Sequence, residues 1–321
     1  MTESIYQKVE AISADPVSQG MSGGISQPDD LRHSSEQSAA AEAAPLSVPH
    51  LVLRPGSAWH LVDLAEVWYF RDLLFSFAGR DLKLRYKQTA LGIIWVILQP
   101  LMAAGVFTLV GSLAKLPSGG IPTFVFMFAS MLAWNLFSNT LGRISTCMVS
   151  NSNMISKVYF PRIILPLSIT PSTLVDFSVG SCLMAVLMIV YHIAPGFGLL
   201  LIPLWVMLIL LTAVGFGMIA SALAVSYRDI QYILPVLVQT LMFASPVIYP
   251  ASAFKAHHPA LYPFFCLNPL SGILTAFRWS IFGKGSFPLE PLLWSVAAAV
   301  IAGLIGLFTF KRLESRFADV I

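Results

Sequence analysis

From Leu91 onward the chain is a succession of long apolar runs separated by short polar breaks. Each run comes close to the roughly 20 residues that a helix needs to cross about 30 Å of hydrocarbon. They extend from Leu91 to Leu113, Ile121 to Leu141, Ile164 to Tyr191, Leu199 to Val225, Ile233 to Tyr249 and Leu292 to Phe310. Prolines at Pro100, Pro166, Pro171, Pro203 and Pro235 mark kinks or ends that neighbouring helices must accommodate. The pattern predicts an all-α integral membrane protein with six transmembrane helices.

Two regions follow other patterns. Residues 58–90 carry Leu73, Leu74 and Phe77 on one side, with Arg80, Lys83 and Lys87 recurring at three- and four-residue steps. This is an amphipathic basic helix suited to a headgroup layer, turning into the first span at Ala90-Leu91-Gly92. Between spans five and six the chain is too polar and proline-broken to cross, yet too apolar for a free loop. Short re-entrant helices fit there, the clearer running from Ser271 to Phe282, with Asn268-Pro269 and the Ser271 hydroxyl supplying a turn and a helix start.

Composition sharpens this division. Of 321 residues 56% are hydrophobic and 11% charged, and the mean hydropathy is +0.76, beyond what a soluble core can hide. Residues 1–57, rich in Ser, Ala, Gln, Gly, Pro and acids, are expected to form a disordered cytoplasmic tail. They contain no cleavable export-signal pattern, so the first span must direct insertion. Residues 91–321 form the six-span domain, and Lys and Arg number fifteen on the side of the N-terminus against four on the other. That asymmetry places both termini in the cytoplasm.

Chemistry is sparse. The chain has no GxxxxGK[ST] nucleotide loop, HExxH or nucleophile elbow, and Cys147, Cys182 and Cys266 lack metal-ligand spacing. His257 and His258 are adjacent in an outer loop, a pair more often merely exposed than catalytic. The acids between Leu91 and Phe310 are Asp176, Asp229 and Glu290, too few for ion coupling. Asp176 lies mid-span and reads either as a gate or substrate contact, or as a hydrogen-bonded lock involving Ser172, Ser178 or a partner helix. The first inner loop carries Ser150, Asn151, Ser152 and Asn153 as helix-start chemistry before a short helix, with Lys157 and Arg162 facing water and Pro161 as its stop. It reads as a docking knob or as an ordinary positive-inside loop. The second inner loop offers Tyr227, Arg228 and Asp229, for a partner or as plain solvated residues. Aromatics crowd several spans, and such rings either face lipid and core or line a path along which sugar rings slide.

The order RYKQTALGIIWVILQP, NSNMISKVYFPRIILPLS, SYRDIQYILP, SPVIYP and NPLSGILTAFR resembles the membrane subunits of type-2 ABC exporters for bacterial polysaccharides, the Wzm and TagG type that serves O-antigen, capsule and teichoic acid. The resemblance covers about Trp59 to Ile321. It implies a homodimer in the bacterial inner membrane, joined by two copies of an ABC ATPase that hold the ATP and magnesium, with no cofactor on this chain and no nucleic acid. The cargo it implies is an undecaprenyl-pyrophosphate-linked glycan. By the same resemblance Asn151, Ser152, Asn153, Met154, Ile155, Lys157, Tyr159 and Arg162 form the ATPase-coupling segment. Arg71 to Lys87 becomes the interface helix, where Arg80, Lys83, Arg85 and Lys87 either meet the pyrophosphate or simply anchor to anionic lipid. Trp95, Trp134, Phe137, Asp176 and Tyr249 are the channel or gate candidates. The alternative is a permease of the same type for a drug or other small amphiphile.

Overall fold

The computed structural model describes residues 64–87, 94–113, 120–157, 160–257 and 259–314. The expected tail, the turn at Ala90-Leu91-Gly92, Tyr159 and His258 lie outside the described residues. Those described form helices α1 (Leu64–Tyr69), α2 (Arg71–Lys87), α3 (Ile94–Leu113), α4 (Thr123–Ser150), α5 (Ser152–Ile155) and α6 (Ile164–Val190). A 3-10 turn at Phe197–Leu201 leads into α7 (Ile202–Ser226) and then α8 (Ile230–Ala244). Next come α9 (Ala251–His257), a second 3-10 turn at Pro259–Leu261, α10 (Tyr262–Leu267), α11 (Ser271–Phe282) and α12 (Leu289–Glu314).

Helices α3, α4, α6, α7 and α12 are long and apolar enough to cross a membrane, and α10 with α11 forms a pair bent by 94°. The expected fifth span is shorter than its sequence suggested. Helix α8 has 15 residues, about 22 Å at 1.5 Å per residue, against about 30 Å of hydrocarbon. It ends before Ser245-Pro246, because a residue preceding proline is driven out of helical geometry. Pro100, Pro171 and Pro235 sit inside helices, whereas Pro203 occupies the first turn of α7, where its missing N–H costs nothing.

The centre of the bundle is α4, whose apolar stretch is 78% buried, against 17% in α3 and 22% in α6. It continues nine residues past the expected Leu141, since Ile144, Cys147 and Met148 keep the apolar stripe turned inward at helical spacing. Helix α7 lies between α4 and α12 at glycine crossings. A Cβ on Gly215 would meet Ala302 carbonyl atoms at 2.5 Å, and one on Gly306 would lie 2.2 Å from the Gly215 oxygen. No larger residue fits these backbones at their present separation.

The short helices between α8 and α12 pack at the end of α4 opposite α5. Asn268 Oδ1 accepts from Leu270 N at 3.0 Å, the expected turn before α11. Ser271 departs from expectation: its hydroxyl donates to Phe265 O at 2.8 Å, tying α11 back to α10 instead of capping it. Gly283 closes α11 in the left-handed region at φ 61°, a conformation that costs glycine nothing.

Candidate functional site

Helix α2 presents a face at four-residue steps to the bundle, because residues i and i+4 lie one above the other on a helix. Leu73 and Phe77 pack into an apolar cluster with Phe160, Leu165, Met218 and Phe310, which gathers the ends of α6, α7 and α12 next to α5. The next two steps on the same face are charged. Asp81 accepts from Arg143 of α4 and lies 3.8 Å from Arg85 Nη2. Arg85 also pairs with Asp176 of α6, and the Tyr86 hydroxyl donates to the same carboxylate. Two carboxylates and two guanidiniums thus neutralise one another. Burial, with the Asp176 hydrogen bond, pushes the Tyr86 phenol up to about 12, so it remains a proton donor across the neutral range.

Of the partners expected for Asp176, this cluster supplies the partner helix and not the serines. The hydroxyls of Ser172 and Ser178 donate to the backbone oxygens of Ile169 and Leu174 on their own helix, and the carboxylate turns to α2 instead. An opposite charge offsets desolvation far better than a hydroxyl can. The four basic residues expected to act together are likewise separated by the turn of α2. Arg85 is committed to Asp176, Arg80 points toward α5, and Lys83 and Lys87 are exposed.

Arg80 links α2 to the expected coupling segment. Its Nη2 donates to Asn151 Oδ1 at 2.8 Å, Nη1 lies 3.9 Å from Met154 Sδ, and the guanidinium sits 5.2 Å over the Phe77 ring. Asn151 was expected to start the next helix. Its amide instead donates back to Cys147 O at 2.9 Å, closing α4, so α5 has no side-chain cap and stops after four residues. Met154 and Ile155 pack inward, while Asn153 and Lys157 are exposed beside the half-buried Ser152. Arg162 does not face water as expected: it donates to the backbone oxygen of Glu314, satisfying a carbonyl left open at the end of α12. Tyr227, Arg228 and Asp229 are all exposed, and among the described residues Arg228 and Asp229 form no ion pair with each other.

Above the charge cluster lies a cavity of about 300 Å³ between α3, α4 and α6. Its polar wall comprises Gln99, Asn135, Asn139, Arg85, Arg143 and Asp176, with Trp95 at one side. Arg143 Nη1 is buried there without a hydrogen-bond partner among the described residues. Amides and charges beside an indole suit a hydroxylated ring, because the amides exchange hydrogen bonds while the aromatic face covers C–H groups. Trp134 and Phe137, expected to line a channel, are instead core residues at 4% and 0% exposure, 5.5 Å apart. Tyr249 joins a stacked aromatic group with Phe254 and Phe265 at the far end.

Asp81, Arg143, Gln99, Asn135 and Asn139 escaped sequence reasoning. One signal was available: the four-residue series Leu73, Phe77, Asp81, Arg85 carries the half-buried, bundle-facing side of α2 straight into charge. Among the described residues no group of His, Cys, Asp or Glu gathers to hold a metal.

Comparison with known proteins gives this arrangement its context. The chain is 31% identical to the O-antigen export system permease protein RfbA of Myxococcus xanthus over 258 residues, covering 80% of this chain and 98% of that one. It is 26% identical to an O-antigen export system permease protein RfbA of Klebsiella pneumoniae over 79% of this chain and 96% of that protein. The polysialic acid transport protein KpsM of Escherichia coli is 23% identical over 63% of this chain and 78% of its own length. The pattern described as the ABC-2 type transporter matches residues 72–282, from α2 through α11. This multi-pass helical chain therefore belongs to the ABC-2 type transporter family.

Proposed function

We propose that the chain is the permease subunit of an ATP-driven exporter that carries a lipid-linked polysaccharide across the bacterial inner membrane. The observation that carries this reading is near full-length likeness to O-antigen export permeases. The polar, indole-flanked cavity joined to α5 through α2 supports it. The cavity mixes amides and charges with Trp95, Leu132, Leu136 and Phe177, so the relatives, and not its lining, favour a glycan over a small amphiphile.

In this reading a separate ATPase binds ATP and magnesium and grips Asn153, Lys157 and the exposed second loop at Tyr227 to Asp229. Closure of the ATPase pair moves α5. Arg80 passes that motion to α2, whose Asp81 and Arg85 hold α4 and α6 on either side of the cavity. Two copies of the chain form the path. Helix α8, which has no buried residue, and the outward side of α3 with Met102, Val106 and Leu109 offer the apolar faces for that pairing. In the same reading Lys83 and Lys87, exposed on α2, meet an undecaprenyl-pyrophosphate headgroup at the inner leaflet, and both termini lie on that side.

Deleting the gene tests the reading in the cell. Lipid-linked polymer should accumulate inside and surface glycan should disappear, with both restored by the intact gene. Unchanged surface glycan would remove the assignment.

A further inference from the structure

A second cavity, of about 410 Å³, opens at the other end of the bundle between α11 and the segment leading to α12. Its charged residues are Lys255, Arg278, Lys284 and Glu290, three cations against one carboxylate. Arg278 is the unusual member. It sits on α11 among core residues and is only 5% exposed. Among the described residues its guanidinium makes one hydrogen bond, from Nη1 to Ser130 Oγ at 3.1 Å, and lies 4.6 Å over the Phe126 ring. No carboxylate lies within 4.0 Å of it among the described ion pairs. A guanidinium carries five N–H donors in a planar fork, so most of this one's capacity is unused by the protein.

Burying an arginine with neither a carboxylate nor a full set of acceptors is costly, and the charge cluster at α2 shows the usual remedy in this same chain. The two lysines reinforce the imbalance. Lys284 Nζ donates to Gly120 O at 2.7 Å, which leaves two of its three N–H groups for another acceptor, and Lys255 lies 4.8 Å over the Tyr262 ring. Both are exposed at the mouth, whereas Arg278 is fixed at the wall. Ser130 lies twenty residues before Ser150 on one continuous helix, so the cavity is about 30 Å from the coupling segment, a membrane thickness away.

We propose that this outer cavity is a binding site for a phosphate-type oxyanion, gripped by the free edge of the Arg278 fork and screened by Lys255 and Lys284. Planar N–H pairs match two oxygens of one phosphate group, and the lysines add charge without demanding geometry. The occupant comes either from the phosphate linkage of an arriving cargo or from the headgroup of an anionic membrane lipid. Glu290, the one carboxylate in the lining, opposes the anion, and its exposure lets solvent screen that repulsion.

Calorimetric titration of the full chain, purified in neutral detergent without an ATPase, with inorganic pyrophosphate tests the site whether or not the chain exports glycan. Saturable binding is expected. The exposed-site double variant Lys255→Gln/Lys284→Gln, which leaves the core untouched, should bind at least tenfold more weakly. Arg278→Lys should do the same with its charge retained, and its melting temperature checks its fold. Absence of binding in the wild-type chain, or equal affinity in all three proteins, would overturn the proposal. Repeating the titration in nanodiscs of phosphatidylcholine with and without phosphatidylglycerol assigns the source. Competition by phosphatidylglycerol identifies a lipid headgroup, and undiminished pyrophosphate binding identifies the cargo's phosphate.

Discussion

Asp176→Ala is expected to destabilise the folded chain by about 3 kcal/mol, because it strands Arg85 and removes the acceptor of Tyr86. That figure is at the low end for breaking a buried pair, since the side chains of Arg85 and Asp176 keep 29% and 14% of their surface exposed and solvent screens part of the loss. Removing both charges together, as Arg85→Met/Asp176→Leu, should recover most of that loss, because neither ion is then left unpaired. Melting curves in detergent measure both. Export separates the two readings of Asp176. Normal transport by the double variant would leave the Arg85–Asp176 pair a pure lock, whereas a stable but inactive chain, the result expected from its place in the cavity, gives the pair a part in transport, as wall or as the tie from α2 to α6.

Arg80→Ala is expected to leave the chain folded and associated with its ATPase while lowering transport roughly tenfold, a coupling loss of about 1.4 kcal/mol. Arg80 is exposed, so removing it opens no core cavity. What disappears is its hydrogen bond to Asn151, the described polar tie between α2 and the coupling segment. Transport and ATP hydrolysis measured on the same preparation decide the matter. Hydrolysis continuing at its normal rate with transport reduced supports a mechanical link through α2, and unchanged transport removes it.

The residues that could be read from the sequence were those whose role follows from their own neighbourhood. The spans α6 and α12 follow the apolar runs expected for them, α6 in spite of Pro166, Pro171 and Asp176, and the start of α11 follows from the turn at Asn268. Residues that serve a distant partner were misread. Asn151 looks like a helix start, yet Cys147 O and Arg80 occupy its amide group from the other side. Arg162 looks solvated until the end of α12 supplies a carbonyl 152 positions away in the chain. The second apolar run ends at Leu141, two residues before Arg143, yet Asp81 on α2 neutralises that charge and α4 runs on to Ser150. Trp134 and Phe137 illustrate the converse limit, since composition cannot tell a ring facing a path from one facing the core.

The central claim, export of a lipid-linked glycan, is tested most directly in vesicles that contain the chain and its ATPase, loaded with lipid-linked glycan in the leaflet facing the ATPase. Addition of ATP and magnesium should carry the glycan to the opposite leaflet, where a membrane-impermeant glycosidase cleaves it, while small amphiphilic dyes stay in place. ATP-driven movement of the dyes, with the glycan still protected from the glycosidase, would contradict it.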